Sequence, residues 1–276
     1  MKEIQLLILS FLLGFQLSGQ DFKGQVLSKE TQKPIPYANI AVVDSYQGTA
    51  SDENGFFDLS LKKVEPTAML RISAIGFAER QISIQDFTKI CQEKEGKFFL
   101  KTTVKGLPEI TIRSKKLKER KAGLRTKSAA FQEGFFVEEA QLGWEYGARI
   151  KIKQPSLLKK IGANIQYCSH DSMFYQVNIY RMNGDGVGEN ILPEPVYLKF
   201  TKSDIKNSVY TDIDYLNIEV KEDILVTLEA VKIPKNKSYG IMLKASPRYF
   251  TYQRRNLGKW KVERIGPAIF AVIEHE

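Results

Sequence analysis

The sequence predicts an all-β protein made of two consecutive β-sandwich domains. Three observations support this class: short β-branched segments recur along the chain, several alternate apolar with polar side chains, and Gly, Pro, Asn or Asp separate them. A hydrophobic content of 43% is enough for packed cores, and 276 residues suit two domains of ordinary size.

Residues 1–20 are predicted to form a secretory signal peptide. Lys2 precedes the apolar run Leu6–Phe15, and small or polar residues follow up to Gly19 and Gln20, where cleavage is expected. The run is too short to cross a bilayer, which needs about 20 apolar residues. A buried N-terminal helix is the alternative. The cleavage point lacks a cysteine for a lipid anchor, so the mature protein is expected in the periplasm, at the outer membrane or outside the cell.

The clearest local signal lies between Pro34 and Leu61, where we predict a strand, a tight turn and a returning strand. Tyr37–Val43 alternates and is β-branched, as a half-buried strand should be. Asp52 can accept a hydrogen bond from the backbone two residues on, and Asn54-Gly55 favours the positive φ angles of a short hairpin connection.

Residues 21–112 are predicted to hold seven strands and a short helical turn within Gln85–Glu95. The predicted strands are Phe22–Leu27, Ala38–Val43, Phe56–Leu61, Ala68–Ser73, Arg80–Ile84, Lys97–Lys101 and Leu107–Ile112.

An ordered set of short motifs runs through this first domain. They are Gly24-Gln25-Val26, Pro34-Ile35-Pro36, Ala38-Asn39-Ile40, Gly48-Thr49-Ala50-Ser51-Asp52, Gly55-Phe56-Phe57, Leu70-Arg71-Ile72-Ser73 and Ile75-Gly76-Phe77. Together they resemble the carboxypeptidase-like regulatory domain family. The resemblance implies a seven-stranded, transthyretin-like or immunoglobulin-like sandwich, found beside zinc carboxypeptidases and at the front of TonB-dependent outer-membrane receptors. The roughly 150 residues that follow are too few for a receptor's transporter part, so transport is not implied.

Residues 113–127 are predicted to form a basic linker, solvated and partly helical. They contain eight basic residues and one acid, although the formal net charge of the whole chain is only +9. This concentration of charge argues against a nucleic-acid-binding face. Alternatively, Lys115, Lys116 and Lys118 could contact anionic lipid head groups or an acidic partner.

Residues 128–276 are predicted to form a second β-sandwich or jelly-roll-like domain. The ten predicted strands are Ala148–Lys153, Ala163–Tyr167, Met173–Arg181, Val196–Thr201, Tyr215–Val220, Ile224–Ala230, Tyr239–Ala245, Tyr249–Gln253, Trp260–Glu263 and Ala268–Ile273. The run from Leu142 to Ile150, Phe174–Tyr180 and the Gly-rich Asn183–Asn190 resemble the uncharacterised C-terminal half of secreted proteins that carry the first domain. This weaker resemblance implies no activity.

The two histidines, His170 and His275, form no recognisable catalytic or zinc motif. Zinc carboxypeptidases need two His and a Glu as ligands, and the chain contains no His-x-x-Glu pair. Cys168-Ser169-His170-Asp171 brings a nucleophile, a base and an acid together in sequence. Neighbouring side chains point apart, however, so we expect a loop histidine. No catalytic residue, metal ligand or cofactor is predicted.

Two further features favour structural interpretations. Asn183–Gly188 and Glu194 have part of a calcium-loop spacing, but Val187 replaces an acidic ligand and prolines prevent the exiting helix, so a hairpin turn is expected. Cys91 and Cys168 lie in different predicted domains. An oxidising compartment would permit a disulfide between them, whereas two separate thiols are expected from a single pair.

The candidate binding residues lie in the run from Tyr249 to Trp260. The aromatic residues Tyr249, Tyr252 and Trp260 interleave there with the cations Arg254, Arg255 and Lys259. Such rings and cations can bind sugars or anionic polymers, and the candidates are the three aromatic residues with Arg254 and Arg255. About half of the rings are expected to point into a sandwich core instead.

The sequence therefore favours a non-enzymatic secreted or envelope-associated module that presents β-sandwich surfaces to a protein or glycan partner. Two alternatives remain open. One is a peptide or polysaccharide hydrolase with a dispersed site in the second domain, built on His170 or on the pair Asp212 and Asp214. The other is an accessory component of an outer-membrane uptake or secretion assembly, docked through the basic linker. No nucleic-acid partner and no membrane span after signal cleavage are expected.

Overall fold

The computed structural model describes residues 20–93, 95–103, 117–137, 142–234 and 238–276. Within those ranges the fold is all-β and is built from several packed sheets, which confirms the predicted class. Two large hydrophobic cores define a first unit, residues 20–103, and a second unit, residues 117–276.

The described part of the first unit contains seven strands and one helix in two sheets. These are β1 (Gln20–Ser28), β2 (Asn39–Val42), β3 (Gly48–Ala50), β4 (Phe56–Leu61), β5 (Met69–Ser73), β6 (Arg80–Ser83), α1 (Ile84–Glu93) and β7 (Lys97–Leu100). The sheet orders are β4-β1-β7 and β3-β2-β5-β6. Alternate residues of β4 are buried, and Phe57, Phe87 and Phe98 stack within the core.

Six of the seven predicted strands of this unit overlap observed ones, and the predicted helical turn is α1. Gly48–Ala50 was not predicted, because three residues are too few to show alternation. The predicted strand Leu107–Ile112 lies outside the described residues.

The turn at Asp52 has the predicted chemistry but joins different strands. The Asp52 carboxylate accepts hydrogen bonds from the backbone N–H of Asn54 and Phe56 at 2.8 and 2.9 Å, and Gly55 has φ of +75°. The predicted hairpin pairing was wrong, because β4 pairs with β1 and β2 pairs with β3 and β5. The buried Ser51 hydroxyl bonds two backbone groups of the preceding segment, so the chain crosses here from one sheet to the other.

The second unit contains fourteen strands in its described part. They are β8 (Lys118–Gly123), β9 (Gln132–Val137), β10 (Trp144–Ile150), β11 (Ser156–Ala163), β12 (Ile165–Cys168), β13 (Ser172–Asn183), β14 (Gly186–Asn190), β15 (Val196–Thr201), β16 (Val209–Asp212), β17 (Glu219–Val220), β18 (Ile224–Glu229), β19 (Tyr239–Arg255), β20 (Lys261–Pro267) and β21 (Ile269–His275). The 3-10 helices Asp204–Lys206 and Asp214–Leu216 lie between strands.

These strands form a nine-stranded and a five-stranded sheet. The nine-stranded sheet follows the order β12-β19-β10-β18-β13-β14, with β15 on β13 and with β20 and β9 on β19. The five-stranded sheet follows β16-β11-β21-β8, with β17 on β11. Tyr146, Tyr175, Ile161 and Ile273 are among the fully buried side chains between them.

The predicted basic linker is partly a strand of this unit. Lys118–Gly123 forms β8, which pairs antiparallel with β21 so that Lys118 lies opposite His275 and Gly123 opposite Phe270. The prediction of a partly helical linker was therefore wrong for these residues. Ala122 points into the core, and pairing with β21 satisfies the backbone. Residues 113–116, with Lys115 and Lys116, lie outside the described ranges.

The longest strand, β19, connects most of the nine-stranded sheet. It pairs with β9 and β12 near its start and with β10 and β20 near its end, and its register with β20 shifts between Ser246 and Phe250. This bulge explains why the sequence predicted two strands, Tyr239–Ala245 and Tyr249–Gln253, where there is one. None of the helices in the described ranges has the length and apolar character needed to cross a membrane.

Candidate functional site

A row of polar side chains crosses the outer face of the nine-stranded sheet. Arg254 on β19, Glu145 on β10, Glu229 on β18 and Gln176 on β13 are successive cross-strand partners. Their neighbours along each strand point into the core, so the alternation of the strands places this row on the opposite face. The first unit covers the face at Asn39, and both glutamates are only 1% exposed.

We call the buried hydrogen-bonded set around this row the junction network. Its members are Asn39, Glu145, Gln176, Asn178, Tyr180, Thr227, Glu229 and Arg254.

Glu145 and Arg254 form the ion pair of the junction network. Arg254 Nε and Nη2 lie 2.7 and 2.6 Å from Glu145 Oε1. Glu145 Oε2 accepts hydrogen bonds from Asn178, Tyr180 and Thr227 at 3.2, 2.8 and 2.8 Å. Both carboxylate oxygens are thus paired, as a buried charge requires.

Glu229 has no cation of its own in the junction network. Its Oε1 accepts a hydrogen bond from Asn39 Nδ2 at 2.6 Å, and its Oε2 accepts from Gln176 and Asn178 at 3.2 and 2.8 Å. Burial, followed by the charge of Glu145 directly opposite, raises the pKa of Glu229 to about 7. A raised pKa means that this carboxyl keeps its proton to a higher pH than an exposed glutamate does.

Other contacts also join the two units. The Tyr37 ring lies 5.5 Å from the Phe174 ring and 5.7 Å from the Tyr197 ring. Lys232 pairs with Glu53 at 2.5 Å across the boundary. Aromatic and polar contacts together hold the first unit against the sheet.

A cavity of about 510 Å³, here called the junction pocket, opens beside this network. Its lining includes Tyr46 from the first unit and the following second-unit residues: Glu133, Trp144, Arg255, Lys261 and Glu263. The Arg255 guanidinium lies 4.0 Å from the Trp144 ring centroid, and Lys261 Nζ lies 5.4 Å from that of Tyr46. Both rings are thus within reach of a cation.

The junction pocket also contains perturbed and unpaired polar groups. Burial raises the pKa of Glu133 against the opposing hydrogen bond of Tyr146, and the nearby charge of Glu263 adds to the rise. Trp144 Nε1 is buried and has no hydrogen-bond partner in the described part of the chain. A ligand here would meet aromatic rings, cations and carboxyl groups.

The structure brings Tyr252, Arg254 and Trp260 together and leaves Tyr249 and Arg255 apart from them. Arg254 and Arg255 line the junction pocket, but Arg254 is committed to Glu145. Trp260 lies outside the pocket lining and packs 4.3 Å from the Arg254 guanidinium. Tyr252 is 6% exposed and belongs to a small apolar cluster, and Tyr249 is half-buried outside the lining. Ligand binding by these five residues remains a prediction. Arg255 is the one that lines the junction pocket without being committed to a buried ion pair.

The Ser169–His170 segment differs from expectation in one respect. Ser169 Oγ lies 2.7 Å from His170 Nδ1, so the expectation that these neighbouring side chains point apart was wrong at this turn. Asp171 pairs instead with Lys202 at 3.1 Å and is almost fully exposed. The described contacts therefore do not complete a triad, which needs an acid on the histidine.

The other candidates have structural partners. Asp212 pairs with Lys160, and Asp214 pairs with Lys159. Asn183 ends β13 and Gly186 begins β14, which confirms the expected hairpin turn.

The two cysteines are free, as expected from a single pair. Cys91 packs against the core of the first unit, and Cys168 is buried in the core of the second.

Sequence reasoning missed Glu145, Glu229, Glu133, Tyr46 and Trp144. The sequence did contain a signal for Glu229, because this acidic residue ends the mostly apolar strand Ile224–Glu229, all of whose residues are buried. An acidic residue in such a strand needs a partner from elsewhere in the fold. The identity of that partner depends on register between distant strands, which a single sequence does not reveal.

The first domain matches a known family model. The model of the CarboxypepD_reg-like domain family matches residues 22–112. This segment is a CarboxypepD_reg-like domain. CarboxypepD_reg-like domains are non-catalytic and are a general binding or structural type. No curated protein matches the chain.

Two solved structures show only a weak likeness. A structure of the infectious bursal disease virus Gt strain is 9% identical, with a TM-score of 0.24, over 94% of this chain and 64% of that chain. A structure of carbohydrate-binding modules from the β-sandwich superfamily is 11% identical, with a TM-score of 0.14, over 94% of this chain and 98% of that chain. Scores this low support no functional argument.

Proposed function

We propose that the chain is a non-enzymatic, exported binding module of the cell envelope and that it binds a glycan in the junction pocket. The pocket itself carries the proposal, because both units line it and its volume of about 510 Å³ lies within the usual range for small-ligand sites. The CarboxypepD_reg-like domain supports a binding role, and the signal-like residues 1–20 support export.

The chemistry of the junction pocket favours an acidic sugar. Tyr46 is 56% exposed and offers a ring face to the C–H face of a sugar. Arg255 and Lys261 can donate to a carboxylate or sulfate group, and Glu133 and Glu263 can bind hydroxyl groups.

A glycan array followed by titration calorimetry tests this proposal on the purified mature chain. We expect an acidic oligosaccharide to bind and Tyr46→Ala or Lys261→Ala to weaken binding about tenfold, equivalent to about 1.4 kcal/mol. Tyr215→Ala is the matched control, because Tyr215 is 61% exposed outside the pocket lining. Equal affinity in all three variants would contradict the assignment of the pocket.

One observation favours a hydrolase as the second candidate. Glu133 has a raised pKa beside Glu263, and a carboxyl that retains its proton can act as a general acid. Product release from a peptide or polysaccharide by the mature chain, lost in Glu133→Gln, would support this candidate and exclude the non-enzymatic proposal.

Location and partner can be tested together by fractionation of cells. We propose a periplasmic, outer-membrane-associated or extracellular location, with Lys115, Lys116 and Lys118 as a contact for an anionic surface or envelope assembly. Lys118 begins β8, and the other two lie outside the described residues. The test variant reverses the charge of all three lysines. If neither the location of the protein nor the set of co-purifying proteins changes, the lysines do not form this contact.

A further inference from the structure

Two buried acceptor atoms next to Glu229 lack donors. Asn39 Oδ1 and Asn256 Oδ1 have no hydrogen-bond partner in the described ranges, although the two residues are only 7% and 3% exposed. Both oxygens converge on Gly143, since a Cβ built there would lie 2.7 and 2.8 Å from them. Two unpaired acceptors close together in a buried place are unfavourable.

A 180° flip of the Asn39 side-chain amide exchanges its oxygen and nitrogen and so provides a donor beside Gly143. Its Nδ2 would then lie on the side of Gly143, where Asn256 Oδ1 also lies. Asn256 keeps its own Nδ2 on the Tyr46 carbonyl at 2.8 Å. The two ends of an amide have nearly the same shape, so the exchange needs no repacking.

The turned amide requires a proton on Glu229. Asn39 Oδ1 would occupy the position 2.6 Å from Glu229 Oε1, and two oxygens so close need a hydrogen between them. Oε2 already accepts from Gln176 and Asn178, so the proton belongs on Oε1.

Charge balance also favours this arrangement. The groups that face Glu229 are Glu145 on β10, Arg254 on β19, Tyr180 on β13 and Tyr197 on β15. Glu145 and Arg254 neutralise one another, and the tyrosines are uncharged. The buried cluster is therefore neutral when Glu229 is protonated and carries one excess negative charge when it is ionised.

We propose that Glu229 is a proton-binding site that controls how tightly the first unit docks on the second. The protonated carboxyl donates to Asn39 Oδ1, and Asn39 Nδ2 donates to Asn256 Oδ1. Loss of the proton turns the Asn39 amide back, so that its Nδ2 donates to Glu229 Oε1. The hydrogen bond to Asn256 Oδ1 is then lost, and a buried charge remains. Docking is therefore stronger in mild acid and weaker above neutral pH, whether or not a ligand occupies the junction pocket.

Nuclear magnetic resonance of the full chain tests the site directly. With ¹³C-labelled Glu and ¹⁵N-labelled Asn, the Glu229 Cδ signal should titrate at least two pH units above the ordinary value of about 4.3. The side-chain amide signals of Asn39 and Asn256 should shift with the same midpoint. A Glu229 midpoint below about 5, or amide signals that do not follow it, would overturn the proposal.

Unfolding measured from pH 5 to 8 tests the consequence. The folded-state pKa of Glu229 is raised, so its contribution is complete at low pH and is lost as pH rises through about 7. The folding equilibrium constant should fall on the order of 100-fold because of this group. Glu229→Gln, which keeps a donor towards Asn39, should remove that fall and exceed the wild type in stability at pH 8.

The matched control is Glu189→Gln, because the Glu189 side chain is 68% exposed and its charge lies outside the junction network. This variant should keep the pH profile of the wild type. A Glu229→Gln variant that folds but is less stable than the wild type at pH 8 would refute the proposed proton site.

Discussion

Arg254→Met tests whether the buried Glu145 carboxylate depends on the Arg254 guanidinium. The substitution keeps an apolar stem of similar length but removes the guanidinium, so the 1% exposed carboxylate loses both contacts to Oε1. Removing one partner of a buried ion pair costs about 3–5 kcal/mol. The three hydrogen bonds that remain on Glu145 Oε2 place the expected loss near the lower end, at about 3 kcal/mol.

Urea unfolding of the full chain at pH 7 measures this loss. If the cost comes from the unpaired carboxylate, adding Glu145→Gln to Arg254→Met should recover about 2 kcal/mol, because the double variant buries no charge.

Arg181→Met is the control for the loss of an arginine as such. Arg181 pairs with Glu222 at 3.1 Å and its side chain is 42% exposed, so its removal should cost less than about 1 kcal/mol. If Arg254→Met costs no more than Arg181→Met, or if the double variant is no more stable than Arg254→Met, the reasoning about a buried charge is wrong.

Three further substitutions have expected outcomes. Gly143→Ala should lower the unfolding free energy by at least about 2 kcal/mol, because φ is +81° and the new Cβ would press on the side-chain amides of Asn39 and Asn256. An unchanged thermal midpoint would contradict this expectation. Tyr175→Phe should leave the unfolding free energy in urea unchanged or raise it by up to about 1 kcal/mol, because the buried hydroxyl has no partner in the described ranges. A loss above about 1 kcal/mol would indicate a missed hydrogen bond. Ser51→Ala should cost about 1–3 kcal/mol in thermal unfolding, because its hydroxyl bonds two buried backbone groups, and a neutral result would refute its role in the crossing.

The sequence predicted strands best where alternation is long and unbroken. Val196–Thr201 has the same bounds in the structure as in the prediction. Tyr215–Val220 was predicted as one strand, yet the 3-10 helix Asp214–Leu216 overlaps its start. Asn217, with φ of +49°, follows this helix and precedes the two-residue β17. Ser156–Ala163 was missed because its paired lysines interrupt the alternation.

The candidate site could be predicted only in part. The aromatic and basic run around Arg255 correctly drew attention to one wall of the junction pocket. Its opposite wall comes from Glu133 and Tyr46, which are more than a hundred residues away in sequence. Their approach depends on the bend of β19 and on the docking of two units, and neither has a local pattern.

The pairing of β8 with β21 has a consequence for biosynthesis. The strand that starts the second unit needs the last strand of the chain as its neighbour, with Lys118 opposite His275. The residues between these two strands must leave the ribosome before the strands can pair, so this sheet closes late in the synthesis of the unit. Deleting β21, Ile269–His275, should therefore prevent the whole unit from folding.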